Sequence, residues 1–254
     1  MQQPTFLSII IPASNEENRL PSTLEKVFSF LAEQPYTTEV IIVENGSTDR
    51  TAEIAQSFVE RYPSKSVRGR PQMRLLQKTE QGKGLAVRSG MLAAKGEYRF
   101  MCDVDLSMPI TEVNRFLPPA LLPGFDIAIG SREAPGAIRY NEPYYRHLGG
   151  RAINAAIRLL ALPGLHDTQC GFKCFRAPVA KDLFRQQTLT GWSFDIELLY
   201  IARMRGYHII EIPIPWYFNP ESKLNVVQDA IYMTLDILKI RRNAHQGKYR
   251  QRKA

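Results

Sequence analysis

The sequence predicts an α/β fold with a mostly parallel central sheet, and three observations carry that prediction. Apolar runs at Phe6 to Ile11, Val40 to Val43 and Tyr98 to Cys102 lack the alternation of half-solvated strands and read as strands buried on both faces. The first two are each followed by a polar turn and a helical pattern, so the amino-terminal part reads as βαβα. The third run stops at Asp103 and Asp105, which places two carboxylates at a strand's carboxyl end, the edge where open α/β sheets hold ligands.

Taken in order, Pro12 closes the first strand, and Ser14 or Asn15 reads as the N-cap of a helix ending near Gln34, with Glu16 and Glu17 in its first turn. Glu44 to Asp49 is a turn leading into a helix from about Arg50 to Arg61, and Met73 to Leu76 is a short third strand. Gln81-Gly82-Lys83-Gly84 opens a helix that runs to Gly96, which reads as its C′ glycine. Neither Gly-x-Gly-x-x-Gly nor the full phosphate-loop pattern is present. Further helices are expected from about Glu112, over Tyr145 to Leu160, near Val179 to Gln186, and from Asp195 to Arg205. Strands are expected at Asp126 to Ile129 and Ile209 to Ile214, and residues 133–143 form a long Pro/Gly loop of the kind that carries function. The last helix, about Asn225 to Arg241, is amphipathic with a wide apolar face; it packs on its own core or lies on a membrane.

No Gly/Ser/Pro-rich linker divides the 254 residues, so the expected organisation is one domain over 1–222 followed by an amphipathic helix and polybasic tail over 223–254. Charged residues at 23% and apolar residues at 44% exclude both a disordered chain and a multispanning membrane protein. The net charge of +8 is concentrated: Lys239, Arg241, Arg242, Lys248, Arg250, Arg252 and Lys253 supply seven charges, leaving +1 for the rest. A near-neutral body without an aromatic and basic platform argues against nucleic acid. The tail suits anionic lipid head groups or simply aids solubility. Cys102, Cys170 and Cys174 form no paired framework and no zinc spacing, and point to a reducing, cytoplasmic setting. No apolar run approaches the ~20 residues that span a bilayer, so membrane association is expected to be peripheral.

Asp103 and Asp105 are the candidates for chemistry. Residues two apart in an extended segment face the same way, so both carboxylates can meet one hard cation carrying a diphosphate; the alternative is a turn with solvated aspartates. Arg146 and Arg151 lie near a helix start, where cations oppose the helix dipole, which points to an anionic partner or to plain solvation.

Seven segments, in order, resemble the family 2 glycosyltransferases of the GT-A fold. They are Ile9 to Glu16, Glu44 to Thr51, Gly82-Lys83-Gly84, Asp103 to Ser107, Gly130-Ser131-Arg132, Asp167 to Lys173, and Trp192 to Glu197. The closer likeness is to the branch that moves a sugar from a nucleotide-sugar to a polyprenyl phosphate, which includes the dolichyl-phosphate glucosyl and mannosyl enzymes. The sequence departs at Glu44-Asn45, where the family commonly carries two aspartates.

The resemblance implies an inverting hexosyltransferase. Pro12, Asn15, Glu16 and Glu44 would line the nucleoside pocket, and Lys83 would lie near the nucleotide phosphates. Asp103 and Asp105 would hold Mg²⁺ or Mn²⁺ on the diphosphate, with Asp103 also counted among the nucleotide contacts. Arg132 and Arg146, with Lys173 behind them, would place the acceptor phosphate. Asp167 and Asp195 are further active-site candidates, against readings as a turn residue and a helix cap; Trp192 and Phe194 could be core, and Glu197 could face the sugar or solvent. UDP-glucose is the expected donor and polyprenyl or dolichyl phosphate the expected acceptor, with GDP-mannose or a soluble hydroxyl acceptor as alternatives. Membrane-bound relatives often carry an amino-terminal membrane segment, so here the anchoring is expected from the C-terminal helix.

Overall fold

The structure is a computed structural model and describes residues 4–63, 71–121, 124–220 and 226–250. Seven strands form the main sheet: β1 (Leu7–Ala13), β2 (Thr38–Asn45), β3 (Gln72–Lys78), β4 (Tyr98–Met101), β5 (Ile127–Ser131), β7 (Lys173–Arg176) and β8 (Ile209–Pro213). Their order is β3-β2-β1-β4-β7-β5-β8, and all neighbours are parallel except at β7, which is antiparallel to both β4 and β5. A second, two-stranded sheet pairs β6 (Ile138–Tyr140) with β9 (Pro215–Tyr217) in parallel.

The continuous apolar runs follow from burial on both faces. Along β1, Leu7, Ile9 and Ile11 join one core layer, and Ile10 joins the other. The first layer packs α1 (Leu20–Ala32), α2 (Thr51–Arg61) and a 3₁₀ helix (Ile110–Phe116) on one side. The second packs α3 (Lys83–Ala93), α5 (Ala177–Gln186), α6 (Phe194–Met204) and α7 (Val226–His245) on the other, with α4 (Tyr144–Leu160) against α7.

Several expectations are corrected here. Neither Ser14 nor Asn15 caps α1, whose N-cap is Arg19 and whose first turn carries Pro21. Asn15 instead takes a left-handed φ of 54° and turns back towards the loop after β2. Gly96 is not a C′ glycine, because α3 ends at Ala93 with Ala94 as its cap. The segment from Glu112 is a 3₁₀ turn, and the loop at 133–143 contains β6. The strand β7 was not foreseen. The three cysteines are free and buried.

The last helix packs on its own core, as one of its two expected forms has it, and leaves part of its apolar face exposed. Met233, Ile237 and Ile240 are buried, while Tyr232, Leu235 and Leu238 are each more than half exposed. Among the described residues, no helix is long and apolar enough to cross a membrane.

Candidate active site

A cavity of about 580 Å³ lies at the carboxyl ends of β1, β2 and β4. At one end its wall is the loop after β1, including Pro12, Asn15 and Glu16. That loop is fastened to the loop after β2 by a zipper of hydrogen bonds. Asn15 N donates to Ser47 Oγ (3.1 Å) and Thr48 N to Asn15 Oδ1 (2.8 Å); Glu16 N donates to Thr51 Oγ1 (2.8 Å) and Glu17 N to Asp49 Oδ2 (3.1 Å). Glu16 is in turn gripped by Arg19 through two contacts of 2.6 and 2.8 Å. The result is a preformed polar rim.

Glu44 does not line this cavity. It accepts the Ser47 N–H at 2.6 Å and so shapes the turn, while its neighbour Asn45 forms part of the wall. With its amide oriented to satisfy both neighbours, Asn45 donates to Ala13 O and accepts from Gly82 N, each at 3.1 Å. An aspartate could not donate to Ala13 O, so the departure from two aspartates suits the backbone around it.

The floor carries Lys83, Asp103 and Asp105. Lys83 Nζ lies 2.7 Å from Asp103 Oδ1 and 4.9 Å from the centre of the Trp192 ring. Burial works against the lysine charge, but Asp103, Asp195 and Asp105 together raise its pKa. Asp105 Oδ1 accepts the Ser107 N–H at 3.0 Å. The acidic pair is crowded by the segment leading into β7: a Cβ on Gly171 would sit 2.0 Å from Asp103 Oδ2, so only glycine lets the 167–173 segment lie against that carboxylate.

At the other end of the cavity, Arg132 and Arg139 lie with their guanidinium carbons 5.6 Å from the Trp216 ring centre. Arg132 forms a two-pronged contact with Asp167, Nε to Oδ2 at 2.6 Å and Nη2 to Oδ1 at 3.0 Å, while its backbone N–H donates to Oδ2 at 3.0 Å. Asp167 is fully buried. Burial alone would raise its pKa, but Arg132 outweighs that and holds it at about 2.

The family model for glycosyl transferase family 2 matches residues 8–184 of this sequence. The chain belongs to glycosyl transferase family 2. This glycosyltransferase is 32% identical over 246 residues to a dolichyl-phosphate beta-glucosyltransferase of Dictyostelium discoideum, covering 93% of the chain and 74% of that relative. It is also 32% identical over 257 residues to the dolichyl-phosphate beta-glucosyltransferase of Homo sapiens, covering 96% and 77%. Among solved structures, glucosyl-3-phosphoglycerate synthase from Mycobacterium tuberculosis, in complex with Mn²⁺, UDP-glucose and phosphoglyceric acid, superposes with a TM-score of 0.64. That match covers 93% of this chain and 79% of the other at 17% identity, which shows the GT-A fold.

The remaining site residues of the glycosyltransferase sort by position. Asp195 lines the cavity from inside α6 and does not cap it; the N-cap is Ser193. Burial raises the pKa of Asp195 against the pull of Lys173 and Lys83. Lys173 lies behind the wall, 1% exposed, 3.0 Å from Asp195 Oδ1 and bonded to Cys170 O at 2.5 Å. The Lys173 contact is within ion-pair distance but is not aligned as a hydrogen bond at Oδ1. Arg146 belongs to α4, and its side chain lies outside the described residues. Trp192 is 45% exposed on the cavity wall and is not core, whereas Phe194 is fully buried. Glu197 is fully buried and does not line the cavity. Arg139 and Trp216 were not among the foreseen site residues; the only signals were the long loop at 133–143 and the aromatic run after the last strand.

Proposed function

We propose that this glycosyltransferase moves glucose from UDP-glucose to a polyprenyl phosphate of the dolichyl type, at a membrane surface and with inversion. The observation that carries the reading is one continuous wall that runs from the zippered loop at Asn15, past Lys83, Asp103 and Asp105, to Arg132. Its first part offers a nucleoside rim and its last part a cation for a second phosphate. The relatives named above add the sugar and the acceptor.

The donor set fits a divalent cation. Asp103 and Asp105 supply hard oxygens, Asp103 already faces a cation in Lys83, and no cluster of three or more His, Cys, Asp or Glu that could hold a metal occurs among the described residues, so further ligands would come from a diphosphate. Mg²⁺ or Mn²⁺ bound there would neutralise charge on the departing diphosphate. Lys83 would turn from Asp103 to the same phosphates. Arg132, fixed by Asp167, would orient the acceptor phosphate, whose oxygen forms the new bond to the anomeric carbon as the bond to the diphosphate breaks. A phosphate acceptor is already ionised at neutral pH, so no strong base is required. That suits a site where Asp167 is a poor base with a pKa of about 2 and is spent on Arg132. Asp195 lines the cavity with a pKa that burial raises, and it is the candidate base if the acceptor is a hydroxyl.

For the membrane, Tyr144 and Leu159 of α4 and Tyr232, Leu235 and Leu238 of α7 are exposed, and Arg158, Lys239, Arg241 and Arg242 are exposed on the same two helices. The test is a transfer assay with UDP-glucose and GDP-mannose against a short polyprenyl phosphate in anionic vesicles. Glucose transfer from UDP-glucose is expected, slowed on vesicles by joint Leu235→Glu and Leu238→Glu substitution. Transfer only to soluble hydroxyl acceptors, abolished by Asp195→Asn, would overturn the acceptor assignment, and unchanged rates in the Leu235→Glu/Leu238→Glu variant would overturn the membrane assignment.

A further inference from the structure

Glu197 is fully buried yet faces no lysine or arginine among its hydrogen-bond partners. Its carboxylate accepts from Thr188 N (2.9 Å), Thr188 Oγ1 (2.5 Å), Leu189 N (2.8 Å) and the hydroxyl of Tyr249 (2.6 Å). Such a group is expensive to bury and is tolerated only when its lone pairs are filled, as they are here. Tyr249 lies beyond α7, in the stretch whose sequence reads as a basic tail, and it is 1% exposed. Its carbonyl accepts from Arg205 Nη2 at 2.9 Å, and its hydroxyl accepts from Asn243 Nδ2 at 3.3 Å. Burial and the neighbouring Glu197 raise the phenol pKa, so the hydroxyl keeps its proton and remains the donor to Glu197.

The residues that Glu197 holds lead to the donor end of the cavity. Gln187 Nε2 donates to Gly84 O (2.9 Å) and to Leu189 O (2.6 Å), and Leu85 N donates to Thr190 O (3.2 Å). Gly82, with φ 139°, lies so close that a Cβ would fall 2.6 Å from Thr190 O. The first turn of α3 is therefore clamped by residues 187–190, and Lys83 projects from that turn between Asp103 and Trp192. A path of buried hydrogen bonds through Glu197, Leu189 and Gln187 joins Tyr249 to Gly84, the chain neighbour of the lysine on the cavity floor.

We propose that the segment after α7 is a latch: Tyr249, through Glu197 and residues 187–190, is a positioning residue that sets Lys83 for the donor diphosphate. This rests on the donor reading above. It also gives the end of the chain a role at the nucleotide, apart from any attraction of its basic residues to lipid. Truncation before Tyr249 consequently disturbs the donor site and the tail charge together.

The test is calorimetric titration of UDP with Mn²⁺ into the wild-type chain, Tyr249→Phe, Lys83→Ala and the double variant, with melting temperatures measured alongside. Tyr249→Phe keeps the ring and loses one buried hydrogen bond, so Tm falls by only about 2–4 °C. UDP affinity is expected to fall about threefold to tenfold, the range for residues that act along a packed network. In the Lys83→Ala background, the same substitution is expected to have no further effect, which a general loosening of the fold would not produce. If Tyr249→Phe fails to fold, Gln187→Leu, which removes the donor to Gly84 O and Leu189 O, breaks the path further on and enters the same cycle. Unchanged UDP affinity, or an equal loss in both backgrounds, overturns the latch alone. Absence of UDP binding by the wild-type chain overturns the donor reading, and the latch with it.

Discussion

Two cation–carboxylate pairs stand at the cavity, with Lys83, Asp103 and Arg132 in its lining, and they are built differently. Lys83 meets Asp103 through one contact of 2.7 Å, with both side chains partly exposed at 15% and 26%. Arg132 meets Asp167 through both prongs of its guanidinium plus its own backbone N–H, and Asp167 is wholly buried. A single, half-wet contact between a flexible lysine and a carboxylate is weakly held, because solvent screens it and the lysine stem is free to rotate. A two-pronged contact to a wholly buried carboxylate has no cheap alternative, since Asp167 without its partner would be left desolvated and unpaired. On the proposed function the two pairs divide the labour: Lys83–Asp103 would open to admit a cation and a diphosphate, whereas Arg132–Asp167 would stay closed and offer a charge of fixed direction.

Substitution at either pair has a distinct expected outcome, and the largest effect is expected at Asp103. Asp103→Asn should lower the rate of sugar transfer by about 10³-fold or more, as expected when charge stabilisation of a leaving group is lost. Its melting temperature should stay close to wild type, because the side chain is partly solvated. Asp167→Asn should behave in the opposite way, losing stability by about 3 kcal/mol because Arg132 is left without its partner. The pH dependence sharpens this contrast. The folded pKa of Asp167 is depressed to about 2, so the pair contributes stability that is fully present above the unfolded value near 4 and is lost as pH falls towards 2. Denaturant titrations across that window should show the wild-type chain losing about 2 kcal/mol that Asp167→Asn does not lose.

The smallest effect is expected at Lys83, and it divides by sign. Lys83→Met should weaken UDP binding about tenfold, the scale of one hydrogen bond to a charged group. The same variant should bind Mn²⁺ alone more tightly, about threefold, because Asp103 is no longer occupied by the ammonium. Calorimetry with metal alone and with metal plus UDP separates the two. Equal weakening of both would mean that Lys83 does not stand in for the cation.

Much of the cavity around Lys83, Asp103 and Asp105 was legible because its signals are local. The runs that became β1, β2 and β4 are apolar without alternation, and Asp103 and Asp105 follow β4 by position alone. Lys83 was visible between two glycines that a tight approach explains. The part of the site around Arg132, Lys173 and Trp216 was harder to read because long-range contacts decide it. The four residues of β7 carry Lys173 and Arg176 at their ends and form a strand only because β4 and β5 flank them on both sides. The burial of Lys173 contradicts the usual habit of lysine, and it follows from Asp195, a residue on another element. Trp216 becomes part of a wall only after β9 pairs with β6. Glu197 and Tyr249 were illegible for the same reason: 52 residues separate them, and no spacing in either segment announces the other.

The most direct test of the division between the two pairs is a crystal structure of the chain with UDP and Mn²⁺. Lys83 Nζ is expected to have left Asp103 for the diphosphate, with an Asp103 oxygen about 2.1 Å from the metal, at the distance hard oxygen ligands take. The three contacts between Arg132 and Asp167 should be unchanged. A structure in which Lys83 still sits on Asp103 while UDP and metal are bound, or in which Arg132 has released Asp167, would contradict the account.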